Sequence, residues 1–210
     1  MNKFLVVFSS FIFLYSCSDS NSTDIDIPLT SEVESLIEHS KEFEKKILSY
    51  DTPGGTIHFA IGFGIANSIM VEGENGNIII DAADSVYEAE QIYALFSEKN
   101  KNPIKAIIYT HNHGDHTFGA AYYVQSQIEK PQIIAHEDTD YYVQRIMGIL
   151  NPIITSRSTK MFGTSLPEED IINVGIGPSL NVSKSPTGYV KPDTTFSDSL
   201  KLNIEGIELE

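Results

Sequence analysis

Cysteine and basic residues are scarce in this chain of 210 residues. It contains a single cysteine, so no internal disulfide framework can form. Lys and Arg number 14 against 29 Asp and Glu, which gives a formal net charge of -15. No basic run is present, and that excludes a nucleic-acid or anionic-membrane surface as the working face, because both need clustered positive charge. The field of the chain as a whole also repels an anionic substrate.

Long apolar runs are absent as well. The apolar run at residues 4–15 is twelve residues long, whereas a membrane-spanning helix needs about 20. It follows Lys3 and precedes a small residue, which is the layout of a secretory signal peptide at residues 1–16.

The single cysteine has its own interpretation. Leu14-Tyr15-Ser16-Cys17 resembles a bacterial lipobox, which implies cleavage before Cys17 and lipidation of the new N-terminus. We therefore expect an exported protein held at a cell-envelope membrane by its lipid. The alternative is a buried thiol in a hydrophobic N-terminal helix. Residues 17–30 are polar and rich in helix breakers, so they form a tether.

Residues 31–210 have the composition of one globular domain, with 41% hydrophobic and 10% aromatic residues over the whole chain. Apolar periodicity and capping boxes predict helices at 31–48, 85–99, 117–127 and 138–147. Alternation and apolar runs predict strands at 56–61, 65–72, 77–81, 104–109 and 132–135, and two further strands within 199–210. The strand-helix-strand passage at 77–109 predicts a right-handed crossover and a partly parallel sheet, hence an α/β fold. Asn75-Gly76 predicts a type I′ turn.

Four metal-competent side chains fall within six positions, in His111-Asn112-His113-Gly114-Asp115-His116, directly after the strand at 104–109. Imidazole and carboxylate are ligands that zinc prefers. Residues two apart in an extended segment face the same side, so His111 and His113 can converge on one ion. Gly114 then allows a sharp turn, so Asp115 and His116 can be aimed elsewhere and a second ion can be held. The alternative is a solvated polar loop.

The other histidines, His39, His58 and His136, are interpreted as structural or surface residues. His136 ends a predicted strand and is the one placed to approach the metal loop.

The pattern His111-x-His113-x-Asp115-His116 resembles the signature of the metallo-β-lactamase fold superfamily, and residues 67–81 resemble its opening hairpin. Within that superfamily the chain is most similar to bacterial alkyl sulfatases, on Tyr109-Thr110-His111-Asn112-His113, on 161–163 and on 175–177. The resemblance implies an αβ/βα sandwich with a mixed sheet and flanking helices.

The resemblance also implies a mechanism. Two zinc ions would be expected in an intact site, with His111 and His113 on the first ion and Asp115 and His116 on the second. Asp115 would orient the attacking water, and Asp81 would support the metal loop from behind the ligands; the alternative for Asp81 is a helix-cap or turn residue. The implied reaction is hydrolysis of a small-molecule sulfate ester. The alternatives are a β-lactam, thioester or lactone substrate, or an inactive remnant.

Three expectations concern the second half of the chain. Residues 151–192 lack periodicity; the resemblance implies that they shape a substrate entrance, and the alternative is a surface excursion. Arg145 and Arg157 are candidates for meeting an anionic head group. No histidine follows His136, and four side chains cannot complete two zinc shells. We therefore expect the N-terminal half of the fold, with weak or absent turnover on its own.

Overall fold

The computed structural model describes residues 30–167, 170–181 and 185–210. The predicted signal peptide, the lipidation at Cys17 and almost all of the tether lie outside these residues, so they stay predictions. In the described ranges, none of the helices has the length and apolarity that crossing a bilayer requires.

The chain folds into six helices and nine strands within the described ranges. The helices are α1 (Ser31–Ser40), α2 (Val86–Lys99), α3 (Gly114–Thr117), α4 (Ala120–Gln125), α5 (Asp138–Met147) and α6 (Asn151–Met161). The strands are β1 (Lys46–Thr52), β2 (Gly55–Ile61), β3 (Ser68–Glu72), β4 (Asn77–Ile80), β5 (Ile104–Ile108), β6 (Gln132–His136), β7 (Thr194–Phe196), β8 (Leu202–Ile204) and β9 (Ile207–Leu209).

Seven strands form one sheet in chain order, from β1 to β7. Strands β1 to β4 pair antiparallel, and β4 to β7 pair parallel. The mixed sheet with flanking helices confirms the predicted α/β fold. Since β4 and β5 run parallel and α2 connects them, their carboxyl ends open at the same edge of the sheet.

Helix α2 fixes that geometry. Ser85 caps it, with the Glu88 amide donating to Ser85 Oγ at 3.2 Å. Ile92 and Phe96 are completely buried on its inner face, in the main apolar core. The capping box and the apolar period therefore predicted this helix correctly.

The predicted helix at 31–48 is wrong in its second half. Helix α1 ends at Ser40, a short 3-10 turn follows, and the chain then enters β1. Strand β1 pairs with β2 along its whole length, from Lys46 opposite Ile61 to Thr52 opposite Gly55. Ile47 and Leu48 therefore belong to a strand, because seven paired residues outweigh a loose helical period.

Three smaller expectations also need correction. Residues 151–161, expected to be irregular, form α6, with Pro152 in its first turn, where proline is tolerated. The predicted helix at 117–127 starts earlier and is broken between α3 and α4. The Asn75-Gly76 turn is not type I′, because neither residue has a positive φ. The connection between β3 and β4 is instead a four-residue loop, in which the Gly73 amide donates to Gly76 O. Positive φ at two successive turn residues occurs instead at Glu205 and Gly206, between β8 and β9.

The β8–β9 hairpin, predicted from alternation, packs on the second face of the sheet. Its residues Leu202 and Ile207 contact a small core centred on Ile78, Ala106 and Ile134. The main apolar core and this smaller core therefore lie on opposite faces of the sheet.

Candidate metal centre

The predicted metal loop lies where β4 and β5 end side by side. Asp81 directly follows β4, and the loop from Thr110 to His116 follows β5 and runs into α3. The Asp81 amide donates to Ile108 O at 2.9 Å, which extends the β4–β5 pairing up to the loop. Parallel strands therefore bring residues that are 30 positions apart in sequence to one point.

The side chains of the motif converge. The ring centroid of His111 lies 4.6 Å from that of His113 and 4.1 Å from that of His116. His116 Nε2 is 3.3 Å from Asp115 Oδ2. The expected reason, strand-like alternation, is incomplete: the chain bends through 110–112 and starts a short helix at Gly114, which turns His116 back toward His111.

Asp81 connects the loop to β4. Its side chain is buried and accepts three hydrogen bonds: from the Thr110 amide at 2.8 Å, from Thr110 Oγ1 at 2.8 Å and from His116 Nδ1 at 2.7 Å. A carboxylate bonded to the non-ligating nitrogen of a histidine is the usual arrangement behind a metal ligand. Asp81 thus lies directly behind His116, and its role in supporting metal ligands stays a prediction.

Thr110 was not singled out from the sequence. Its hydroxyl has one proton, which goes to Asp81 because a carboxylate only accepts. In the 3.0 Å contact between Thr110 Oγ1 and His111 Nδ1, the hydroxyl oxygen must therefore accept, so the proton lies on His111 Nδ1. This tautomer leaves the Nε2 lone pair of His111 for a metal ion. The available signal was a hydroxyl residue immediately before the first His of the motif.

Backbone hydrogen bonds hold the loop against the residues that follow β4. The Ala82 amide donates to His116 O at 2.7 Å, and the Gly119 amide donates to Ala83 O at 3.1 Å. Asp81 and Ala83 hold positive φ values of 60° and 72°, a strained conformation that tends to persist at functional sites. Gly119 must be glycine, because a Cβ there would lie 2.0 Å from Ala82 O.

The pKa values follow from these contacts. Burial lowers the pKa of His111, and the charges of His116 and His113 lower it further. For His116 burial acts in the same direction, but its bonds to Asp115 and Asp81 outweigh burial and raise its pKa to about 9. Burial acts to raise the pKa of Asp115, and the bond to His116 overcomes it, so the net pKa is lowered. The carboxylates of Asp81 and Asp115 therefore favour the protonated form of His116.

The donor set fits zinc. Two ligands on one tetrahedral zinc ion, each at about 2.0–2.1 Å, lie about 3.3 Å apart, and this is the separation of His116 Nε2 and Asp115 Oδ2. Within the described ranges, no three His, Cys, Asp or Glu side chains already surround one ion position. His116 and Asp115 form an ion pair with each other in this arrangement. Their metal-binding roles stay predictions.

A cavity of about 740 Å³ lies beside the loop, and His113, Gly114 and Asp115 are among its lining residues. Most of its wall is apolar, and the apolar side chains include Phe118, Ile146, Met147, Ile154, Phe162 and Leu180. Helices α5 and α6 supply much of this wall, so the stretch after 151 does shape the space beside the motif. No Lys or Arg is found among the described lining residues.

The two arginine candidates lie elsewhere. Arg145 donates to Tyr141 Oη at 2.8 Å, and Arg157 is exposed on α6; neither lines the cavity.

The remaining histidines have local partners, as expected of structural residues. Buried His58 contacts Ser49 Oγ and Glu72 Oε1, each at 2.8 Å. His136 contacts Ser197 O at 2.8 Å and does not line the cavity. His39 packs its ring edge-on against Phe43.

Comparisons with known proteins bear on the family and the fold of the chain. The family model described as the Metallo-beta-lactamase superfamily matches residues 61–195. The chain is 35% identical over 146 residues to a linear primary-alkylsulfatase of Pseudomonas sp. (strain ATCC 19151), covering 67% of this chain and 27% of that protein. It is 38% identical over 84 residues to the alpha subunit of a 2,4-dinitroanisole O-demethylase of Nocardioides sp., covering 39% of this chain and 24% of that protein. The chain thus spans about a quarter of the length of these relatives.

A solved structure shows the same fold. The stereoselective inverting sec-alkylsulfatase Pisa1 from Pseudomonas sp. superposes with a TM-score of 0.67 at 19% identity, over 78% of this chain and 26% of that chain.

Proposed function

The chain belongs to the metallo-beta-lactamase superfamily, and from this membership we propose that it hydrolyses the sulfate ester of an alkyl alcohol with zinc as cofactor. The observation that carries the proposal is the apolar cavity that begins at His113 and Asp115. A metal loop opening into an apolar space suits a substrate with one charged end and a hydrocarbon body. The similarity to alkylsulfatases supports the same substrate class.

Four side chains would hold the metal. We assign His111 and His113 to one ion, and Asp115 and His116 to a second. Bound zinc would lower the pKa of a coordinated water toward neutrality and offset negative charge on the sulfate group. The Asp81 carboxylate fixes the ring of His116 directly and that of His111 through Thr110.

The chain's own groups supply the rest. Asp115 lies at the cavity wall with a lowered pKa, so it is an ionised acceptor that can hydrogen-bond and orient the attacking water. The apolar wall excludes bulk water and binds the alkyl chain. Each CH₂ group that it buries should stabilise binding by roughly 0.8 kcal/mol. In the described part of the cavity no cationic side chain meets the sulfate, so the metal must provide that attraction.

The experiment is a substrate panel on the zinc-loaded chain. Octyl sulfate, a β-lactam, a thioester, a lactone and 2,4-dinitroanisole are incubated with a high concentration of the protein, so that slow turnover is measured. We expect release of inorganic sulfate that depends on zinc, is lost in His113→Ala and is kept in His39→Ala. Hydrolysis of another member of the panel without sulfate release would identify a different substrate class. No zinc-dependent hydrolysis of any member would contradict the proposal in favour of the inactive remnant.

Export and anchoring are a separate proposal, supported by the residues before and at Cys17. Radiolabelled palmitate should label the wild-type protein in a bacterial host and not Cys17→Ser. Equal labelling of the two would contradict it.

A further inference from the structure

Two buried carboxyl groups face each other at the start of α2, behind the cavity. Asp84 and Glu88 are each 1% exposed. Burial, a hydrogen bond to Asp84 and the charge of Asp84 raise the pKa of Glu88 to about 9. One oxygen of each group, Asp84 Oδ1 and Glu88 Oε1, receives no hydrogen bond from any described residue. A single proton between the two carboxyls would give both oxygens a partner.

The other oxygens of the pair hold Asn181. The Asn181 amide donates to Asp84 Oδ2 at 2.6 Å, and Asn181 Nδ2 donates to Glu88 Oε2 and to Phe63 O, each at 3.2 Å. Asn181 is 3% exposed and lies 97 residues beyond Asp84 in the sequence. Its neighbour Leu180 lines the cavity, as does Ile176. The carboxyl pair therefore anchors the segment that forms one side of the cavity.

No described cation neutralises the pair. Lys45 Nζ donates to Gln91 Oε1 at 2.9 Å and lies 5.4 Å from the centre of the Phe63 ring. On the α4 side, Tyr123 interacts electrostatically with Glu88; burial raises the pKa of Tyr123, so it stays a neutral phenol. A Cβ at Gly64 would lie 2.3 Å from Glu88 Oε2, so the loop after β2 closes the space tightly. Two carboxylates in such a place cannot both ionise without strong repulsion.

We propose that Asp84 and Glu88 share one proton and act as positioning residues, holding Asn181 so that the Ile176–Leu180 segment keeps the cavity wall in place. Loss of that proton would place two negative charges side by side and release the segment. The effect on substrate binding rests on the proposed function, whereas the position of the segment does not.

The test uses the absence of tryptophan from the chain. Leu180→Trp puts a single reporter on the cavity wall, and its emission maximum and acrylamide quenching are followed from about pH 6 to about pH 10.5, with far-UV circular dichroism alongside. We expect a red shift and stronger quenching with a one-proton midpoint near pH 9, at constant ellipticity. Adding Glu88→Gln, which keeps the shape and cannot ionise, should abolish the transition. Adding Glu90→Gln, an exposed site on the same helix, should leave it unchanged.

The contrary outcomes are equally specific. A transition that persists in the Leu180→Trp/Glu88→Gln protein, or one that coincides with loss of ellipticity, would overturn the proposal. So would a flat titration of the Leu180→Trp protein. If Leu180→Trp does not fold, Ile176→Trp, at a position 63% exposed, provides the reporter. None of these readouts needs catalytic activity, so failure of the substrate panel leaves this proposal standing.

Discussion

Asp81 Oδ2 and His116 Nδ1 are joined by a hydrogen bond of 2.7 Å, although the residues lie 35 positions apart. The same carboxylate accepts two bonds from Thr110. One buried group thus sets the orientation of the first and last histidines of the metal loop. Its substitution should affect metal binding without removing a ligand.

Asp81→Asn should lower zinc affinity by about 10–100-fold. The Asn side chain has an NH₂ in place of one acceptor oxygen, so it cannot accept all three bonds. Competition with a chromophoric zinc chelator measures the change, with Asp198→Asn, an exposed acid, as the matched control. Equal affinities for the two variants would show that Asp81 is a turn residue only.

Thr110→Val should also weaken zinc binding, because it removes the hydroxyl that fixes His111 Nδ1 and keeps the side-chain shape. We expect a loss toward the lower end of the 10–100-fold range, since only one ring is released. Thr110→Ser keeps the hydroxyl and should restore affinity. Failure of the serine variant to restore binding would mean that the methyl group, not the hydroxyl, matters.

Gly119→Ala should destabilise the fold by about 1–3 kcal/mol, because the added Cβ meets the Ala82 carbonyl. The unfolding temperature and the zinc affinity should fall together, since the same contact holds the metal loop in place. Gly54→Ala is the control: nothing lies within 4 Å of its added Cβ, and it should change stability by less than about 0.5 kcal/mol. A Gly119→Ala protein as stable as this control would show that the close contact at Gly119 does not hold the metal loop in place.

Glu88→Gln should stabilise the chain increasingly as pH rises from about 4.5 to 9. Between these values the folded state keeps the Glu88 proton and the unfolded state has lost it, so wild-type stability falls with pH through this group. The difference should grow by about 1 kcal/mol per pH unit, and below pH 4.5 it should level off. Urea unfolding at several pH values measures this difference in the free energy of unfolding. The control Glu90→Gln should have the same pH dependence as the wild type. A Glu88→Gln curve parallel to the wild type would rule out the raised pKa.

Ile154→Trp should reduce binding of long alkyl sulfates more than of short ones, because Ile154 lines the cavity and a larger ring shortens it. Each CH₂ that no longer fits should weaken binding by roughly 0.8 kcal/mol. Ile153→Trp is the control, since Ile153 is 57% exposed and does not line the cavity. Calorimetry with hexyl, octyl and decyl sulfate gives the comparison. Similar chain-length profiles for the two variants would place the alkyl group elsewhere.

Local signals predicted much of the fold. The Ser85 cap, the apolar face of α2 and the strand before His111 each depend on neighbours within a few positions, so the sequence pattern was sufficient. The error at 41–48 has a different origin: Ile47 and Leu48 fit a helix locally, and only pairing with β2 decides for a strand. Residues 151–161 lacked apolar periodicity but form α6, and Pro152 stands in its first turn, where proline is allowed.

The cluster of His and Asp side chains at the candidate site was predictable, but its surroundings were not. Three histidines and one aspartate within six positions stood out directly, whereas Thr110 became important only through its contact with Asp81. Residues 151–192 were expected to shape an entrance, but the side chains of the cavity wall could not be foreseen, because α5, α6 and the segment near Leu180 meet the metal loop only in three dimensions. The Asp84–Asn181 contact likewise joins residues 97 positions apart.

Zinc content after equilibrium dialysis is the most direct test of the account. The purified chain is dialysed against zinc, and bound metal is counted by mass spectrometry for the wild type, for His113→Ala and for the control His39→Ala, which changes a histidine outside the metal loop. We predict at least one tightly held zinc ion per chain in the wild type and the control, and its loss in His113→Ala. A wild-type chain that holds no zinc, or a His113→Ala chain that holds as much, would contradict it.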